Sequence, residues 1–142
     1  MDNNKYGIRT NEDIEPALQM IRDKVCERLE TGADRNICLL VCEELLIHLL
    51  MNDSSDIIVE AVTGRRACVK IYATGEPDEL FDHSREVRRD DLQYSISRNI
   101  LRRYDRQIEY KHSNNRNSYR ISPRNDKNGS LQGEILAYYD RM

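Results

Sequence analysis

The chain has 142 residues, 39% of them hydrophobic and 33% charged, with a formal net charge of −3. That length suits one domain with one core, and the negative balance argues against a general nucleic-acid binder. No run is long and apolar enough to read as a membrane span, so no membrane insertion is expected.

The four cysteines, Cys26, Cys38, Cys42 and Cys68, all lie in apolar segments. Cys38 and Cys42 are one helical turn apart and within reach of a common metal, but no CxxC pair or second Cys/His cluster accompanies them. They are read as core thiols, and no metal is expected. Unpaired thiols without a signal peptide point to a reducing, cytoplasmic setting.

Taken in order, Tyr6-Gly7-Ile8 suits a brief edge strand or a disordered start. A helix should begin near Glu12 with Asn11 as its N-cap. Ile14, Leu18, Ile21, Val25 and Leu29 make one amphipathic stripe, which Gly32 should close as a C-terminal cap. Asp34 then caps a second helix over 36–52. That segment is apolar nearly all round, which marks a buried central helix about 25 Å long. A turn over 52–56 leads to strands over 57–62 and 67–73, joined by a tight connection at Thr63-Gly64-Arg65-Arg66.

Thr74 to Asp91 is highly charged and aperiodic, with a short helix expected around Leu80-Phe81. About eighteen irregular residues inside a compact domain suit a lid or binding loop. Helical spacing resumes over 92–104, with Leu92, Ile96, Ile100 and Leu101 inward and Arg98, Arg102 and Arg103 outward. Arginines are dense over 85–106, and such a run is most often a solvated face. Strands over 107–112 and 118–122 flank an Asn-rich turn. A polar linker starts at Arg124, and Leu131 to Met142 reads as the opening of a further helix that leads to a domain outside this chain.

Glu44, His48 and Asn52 are spaced four apart on the second helix, so they share one face. A carboxylate, an imidazole and an amide on one line of an apolar helix must be paired, solvated in a cavity or engaged by a ligand. The plainer reading is that the line marks where the helix reaches the surface, with Glu43 as the exposed residue.

The order of helix, buried helix, hairpin, irregular loop, helix and hairpin resembles the GHKL-type ATPase domain of gyrase, a heat-shock chaperone, histidine kinases and MutL. It is most similar to the bacterial anti-sigma serine-kinase version, over residues 6–122. In that family the buried helix carries a Glu and, one turn later, a metal-holding Asn; Glu44 and His48 fall at those positions. The family's Asp-x-Gly motif, whose Asp contacts adenine, maps onto Ala73-Thr74-Gly75, which keeps Gly75 and lacks the Asp. The family's Gly-rich entry to the next helix maps onto Leu92-Gln93-Tyr94-Ser95-Ile96, which has no glycine.

The resemblance implies an α/β fold, more narrowly an α+β two-layer sandwich: a mostly antiparallel mixed sheet covered on one face by about three helices. Its degenerate ATPase domain would occupy 1–123. An imidazole is a poor magnesium ligand, Ala73 cannot accept a hydrogen bond from adenine, and the missing glycines close the backbone approach to phosphates.

The leading expectation is therefore a non-catalytic regulatory or protein-binding domain, without cofactor, that grips an acidic partner through 74–106. A first alternative is an ATP-binding, anti-sigma-like serine kinase. It would use magnesium, Glu44 as base, and His48, Asn52, Gly75, Arg98 and Arg102 against the nucleotide. A second is a small-molecule sensor with Glu44, His48 and Asn52 lining its pocket. The family often pairs, so a homodimer is a further expectation; no nucleic-acid partner is expected.

Overall fold

The computed structural model describes residues 4–28, 32–64, 66–81 and 92–123. In chain order it contains β1 (Lys5–Ile8), α1 (Ile14–Lys24), α2 (Gly32–Met51), β2 (Ser55–Val62), β3 (Cys68–Thr74), α3 (Leu92–Arg103), β4 (Ile108–Ser113) and β5 (Arg116–Ile121). Single 3-10 turns lie at Asn11–Asp13, Cys26–Arg28 and Asp105–Gln107. The five strands form one sheet in the order β1-β2-β3-β5-β4. Every neighbouring pair is antiparallel, so the fold is the expected α+β class with no parallel pair in the sheet. No described helix is long and apolar enough to cross a membrane.

Alternation along the strands produces two unlike faces. Ile57, Val59 and Ala61 of β2, Val69, Ile71 and Ala73 of β3, and Tyr119 and Ile121 of β5 are buried. They pack with Ala17, Leu18 and Ile21 of α1 and Val41, Leu45 and Leu49 of α2 in one core. The intervening strand residues are only half-buried or exposed. Helix α2 packs against both α1 and α3, which explains why its sequence shows no apolar stripe of its own.

Several boundaries differ from the sequence reading. The first helix starts at Ile14, after a 3-10 turn whose Asp13 carboxylate accepts the backbone N–H groups of Arg9 at 2.7 Å and Thr10 at 3.0 Å. It ends at Lys24, and Gly32 opens α2 instead of capping α1. Glycine's low helix propensity misled there, because a first-turn position costs little.

The end of α2 is a Schellman cap. Ser54 N–H reaches Leu49 O at 3.1 Å and Asp53 N–H reaches Leu50 O at 3.2 Å. Asp53 takes the left-handed conformation this cap requires, at φ 55°. The β4–β5 turn is tighter than the 113–117 span predicted: Asn114 and Asn115 alone make it, at φ 54° and 59°. Two left-handed residues give a hairpin turn that matches strand twist, and Asn tolerates that conformation. The predicted helix over 131–142 and residues 82–91 of the long loop lie outside the described residues.

Candidate functional site

Two residues of the polar line, Glu44 and His48, face inward from α2, and Asn52, just past the helix end, is exposed. His48 is 1% exposed and Glu44 8% exposed, whereas the neighbouring Glu43 is half-buried. The reading of the line as a surface edge is corrected for Glu44 and His48 and holds for Asn52. Burying these groups requires partners, and each has one.

Glu44 accepts a hydrogen bond from Ser97 Oγ of α3 at 3.0 Å, which ties the two helices together. His48 meets Asp78, in the loop after β3. Its Nε2 lies 2.9 Å from each carboxylate oxygen, and the two side chains are 1% and 6% exposed. Asn52 supplies the other end of the chain of bonds. Its Nδ2 donates to the His48 carbonyl at 2.8 Å and lies 3.2 Å from His48 Nδ1. A carbonyl can only accept, so the amide nitrogen must point this way. A carboxylate oxygen accepts, so Nε2 carries the hydrogen given to Asp78.

Asp78 collects further donors. Tyr119 Oη donates to Oδ2 at 2.5 Å, and the Leu80 backbone N–H to Oδ1 at 3.0 Å. Burial alone would raise the Asp78 carboxyl. The His48 hydrogen bond and charge, with the bonds from Tyr119 and Leu80, outweigh it and hold the group below the usual carboxylate range. Tyr119 is driven the other way, by burial first and then by the charge and hydrogen bonding of Asp78.

The loop that brings Asp78 inward is fastened along its length. Asp78 N–H is shared between Tyr110 Oη at 2.8 Å and Asn117 Oδ1 at 3.3 Å. Tyr110 also donates to Asn117 Oδ1, and Asn117 Nδ2 donates to Glu76 O at 2.8 Å. Phe81 closes the cluster: its ring stacks on Tyr110 at 5.5 Å and meets Tyr119 edge-on at 5.3 Å and His48 at 6.3 Å. The result is a filled polar core under an aromatic cover.

Gly75 starts this loop at φ 152°, a conformation open to glycine and strained for other residues. Nothing lies within 4 Å of where a Cβ would sit, so backbone conformation, not space, demands glycine. Its N–H donates to Asn115 O at 2.9 Å and its carbonyl accepts from His112 Nε2 at 2.9 Å. Arg98 and Arg102 lie elsewhere, on the C-terminal half of α3, half-buried and exposed respectively.

The structure thus gathers His48 and Asn52 into one cluster and gives Glu44 a separate partner in Ser97. Asp78, Phe81, Tyr110, Asn117 and Tyr119 were missed. Their trace in the sequence was the alternation of Tyr110 with His112 and of Asn117 with Tyr119, which sets polar and aromatic groups on the inner face of the last hairpin.

The cysteines occupy the other end of α2. All four are free and buried. The Cys26 thiol is pushed up by its hydrogen bond with Cys38 and by burial. Cys38 is pulled down by Cys26, but the contact with Cys42, burial and the nearby Cys68 together push it up. Protonated thiols are weak ligands and weak nucleophiles, and among the described residues no His/Cys/Asp/Glu group is arranged to hold a metal. A shallow groove of about 460 Å³, lined by Asn11, Ile14, Glu15, Glu43, Ile47 and Met51, opens between the start of α1 and α2. None of the Glu44, His48 and Asn52 line contributes to it. No protein-family model matches the chain, and neither does any curated protein or solved structure.

Proposed function

We propose that this chain is a non-catalytic binding or regulatory domain, on a scaffold resembling the histidine-kinase-like ATPases and without their nucleotide. One observation carries the reading. His48, which takes the place of the family's metal-holding Asn, is 1% exposed and spends its Nε2 on Asp78. An anti-sigma-like serine kinase would need that position open to a magnesium–phosphate group. It would also need Glu44 turned toward a substrate hydroxyl, whereas Glu44 is engaged with Ser97. A sensor using the same line of residues would need space beside it, and Phe81, Tyr110 and Tyr119 fill that space.

The test is a thermal-shift titration of the folded chain with ATP, ADP and GTP, each with and without magnesium. Mass action raises the melting temperature of anything that binds the native state. The expected outcome is a flat response to all three. A rise of several degrees with magnesium–ATP overturns the reading and moves Glu44 and His48 into a nucleotide site.

A further inference from the structure

We propose that the face of the sheet turned away from the helices docks an acidic, extended segment of a partner protein. The outward positions of β3, β5 and β4 carry four cations, Lys70, Lys111, Arg116 and Arg120, and one carboxylate, Glu109. Lys70 pairs across the strands with Arg120, and Arg120 with Glu109. One step along, Tyr72 pairs with Ser118, and Ser118 with Lys111; at the end, Thr74 pairs with Arg116. These positions are half-buried or exposed, whereas the alternate ones face the helices.

The charges on this face are unevenly settled. Toward β1, Glu60 has Lys5 at 3.8 Å and receives the Tyr72 hydroxyl at 3.4 Å. Among the described residues, none of Lys70, Lys111, Arg116 and Arg120 forms an ion pair, and the Arg120 Nε is enclosed without a hydrogen-bond partner. A chain of net charge −3 therefore gathers on one sheet face four cations that form no ion pair among the described residues.

The spacing suits a polypeptide. Outward positions repeat about 6.8 Å along a strand and about 4.8 Å between strands. An extended segment with a carboxylate at every second residue has the same repeat. A single-stranded nucleic acid would match the charge, but it binds such sheets by stacking bases on open aromatic rings. Tyr72 is the aromatic of this face on β3, and the Arg116 guanidinium covers its ring at 4.0 Å. The proposal rests on the binding-module reading above. A nucleotide-induced shift would sink that reading and leave the outcome of the following titration readable.

The experiment is fluorescence anisotropy at low salt on the whole chain. One labelled probe is a peptide of alternating glutamate and serine; the other is oligothymidine of equal charge. Peptide binding is expected, weakened about tenfold by the double substitution Lys111→Glu, Arg116→Glu. Both residues are exposed, and circular dichroism checks the fold. The separate double variant Arg98→Glu, Arg102→Glu reports on α3. The proposal is overturned by absence of peptide binding, by tighter binding of oligothymidine, or by a folded K111E/R116E protein that binds as before. Loss of binding on the α3 substitutions alone overturns it as well.

Discussion

Cys38 and His48, toward opposite ends of α2, are both deeply buried and sit in surroundings built on opposite terms. Toward the N-terminus Cys38 and Cys42 meet Cys26 and Cys68 in apolar surroundings, where each thiol is a small hydrophobe that demands little of its neighbours. Toward the C-terminus His48 sits in a network with Asp78 and Tyr119 from distant elements and with Asn52 one turn along. Deep burial is therefore a poor guide to sensitivity. What counts is whether removing one group leaves another stranded.

That contrast breaks most visibly at Asp78. Asp78→Ala strands the imidazole hydrogen, the Tyr119 hydroxyl and the Leu80 N–H, and it should cost about 4 kcal/mol, as removal of one partner from a buried pair does. Urea denaturation measures this; a loss below about 1 kcal/mol would place the loop off the protein in solution.

Acid acts on the same carboxylate. Asp78 is held below its ordinary value in the folded state, so the unfolded chain takes up its proton first. The stability it contributes is present above the unfolded pKa, near 3.8, and is lost as pH falls through the lower folded value. Denaturation midpoints at neutral pH and near pH 3 should therefore differ more for the native sequence than for Asp78→Asn. Asp13, whose carboxyl is lowered by the Arg9 and Thr10 backbone bonds, contributes to both curves and cancels. Equal pH slopes would contradict the assignment.

Tyr119→Phe removes one donor to the carboxylate and leaves the ring in place. A loss of about 2 kcal/mol is expected, in the range for hydrogen bonds to charged groups. At the other end of the helix, Cys38→Ala deletes one methyl-sized group and breaks only weak thiol hydrogen bonds, so about 1 kcal/mol should be lost. If that variant proved costlier than Tyr119→Phe, the distinction between the two ends would fail. The smallest effect lies just past α2. Asp53→Gly relieves a left-handed non-glycine residue at the cap, and a gain of about 0.5 kcal/mol is expected from the melting temperature.

The same contrast explains what the sequence disclosed. Apolar periodicity placed α1 and α3, a long apolar run placed α2, and short apolar or alternating runs with turn signals placed the two hairpins, because these patterns are local properties. Gly32 misled because a glycine caps one helix or opens the next with the same local signal. Glu44, His48 and Asn52 stood out because polar groups on an apolar helix must be paired. Their partners could not be read. Asp78 lies 30 residues from His48, in a loop whose many charges look alike, and only Gly75 hints at the turn that brings it inside. Ser97 was equally hidden, as one hydroxyl on an arginine-rich helix.

The reach of Asp78 has a kinetic consequence. It bonds 30 residues back to His48 and 41 residues forward to Tyr119, so its contacts form only after two long segments of chain have closed. Such contacts carry a large loop-closure cost and are expected to form late in folding. Contacts absent from the folding transition state slow unfolding without speeding folding. Asp78→Ala should accordingly leave the refolding arm of a chevron almost unchanged and steepen the rate of escape from the native state. This one carboxylate would then govern the lifetime of the folded molecule far more than the speed of its formation.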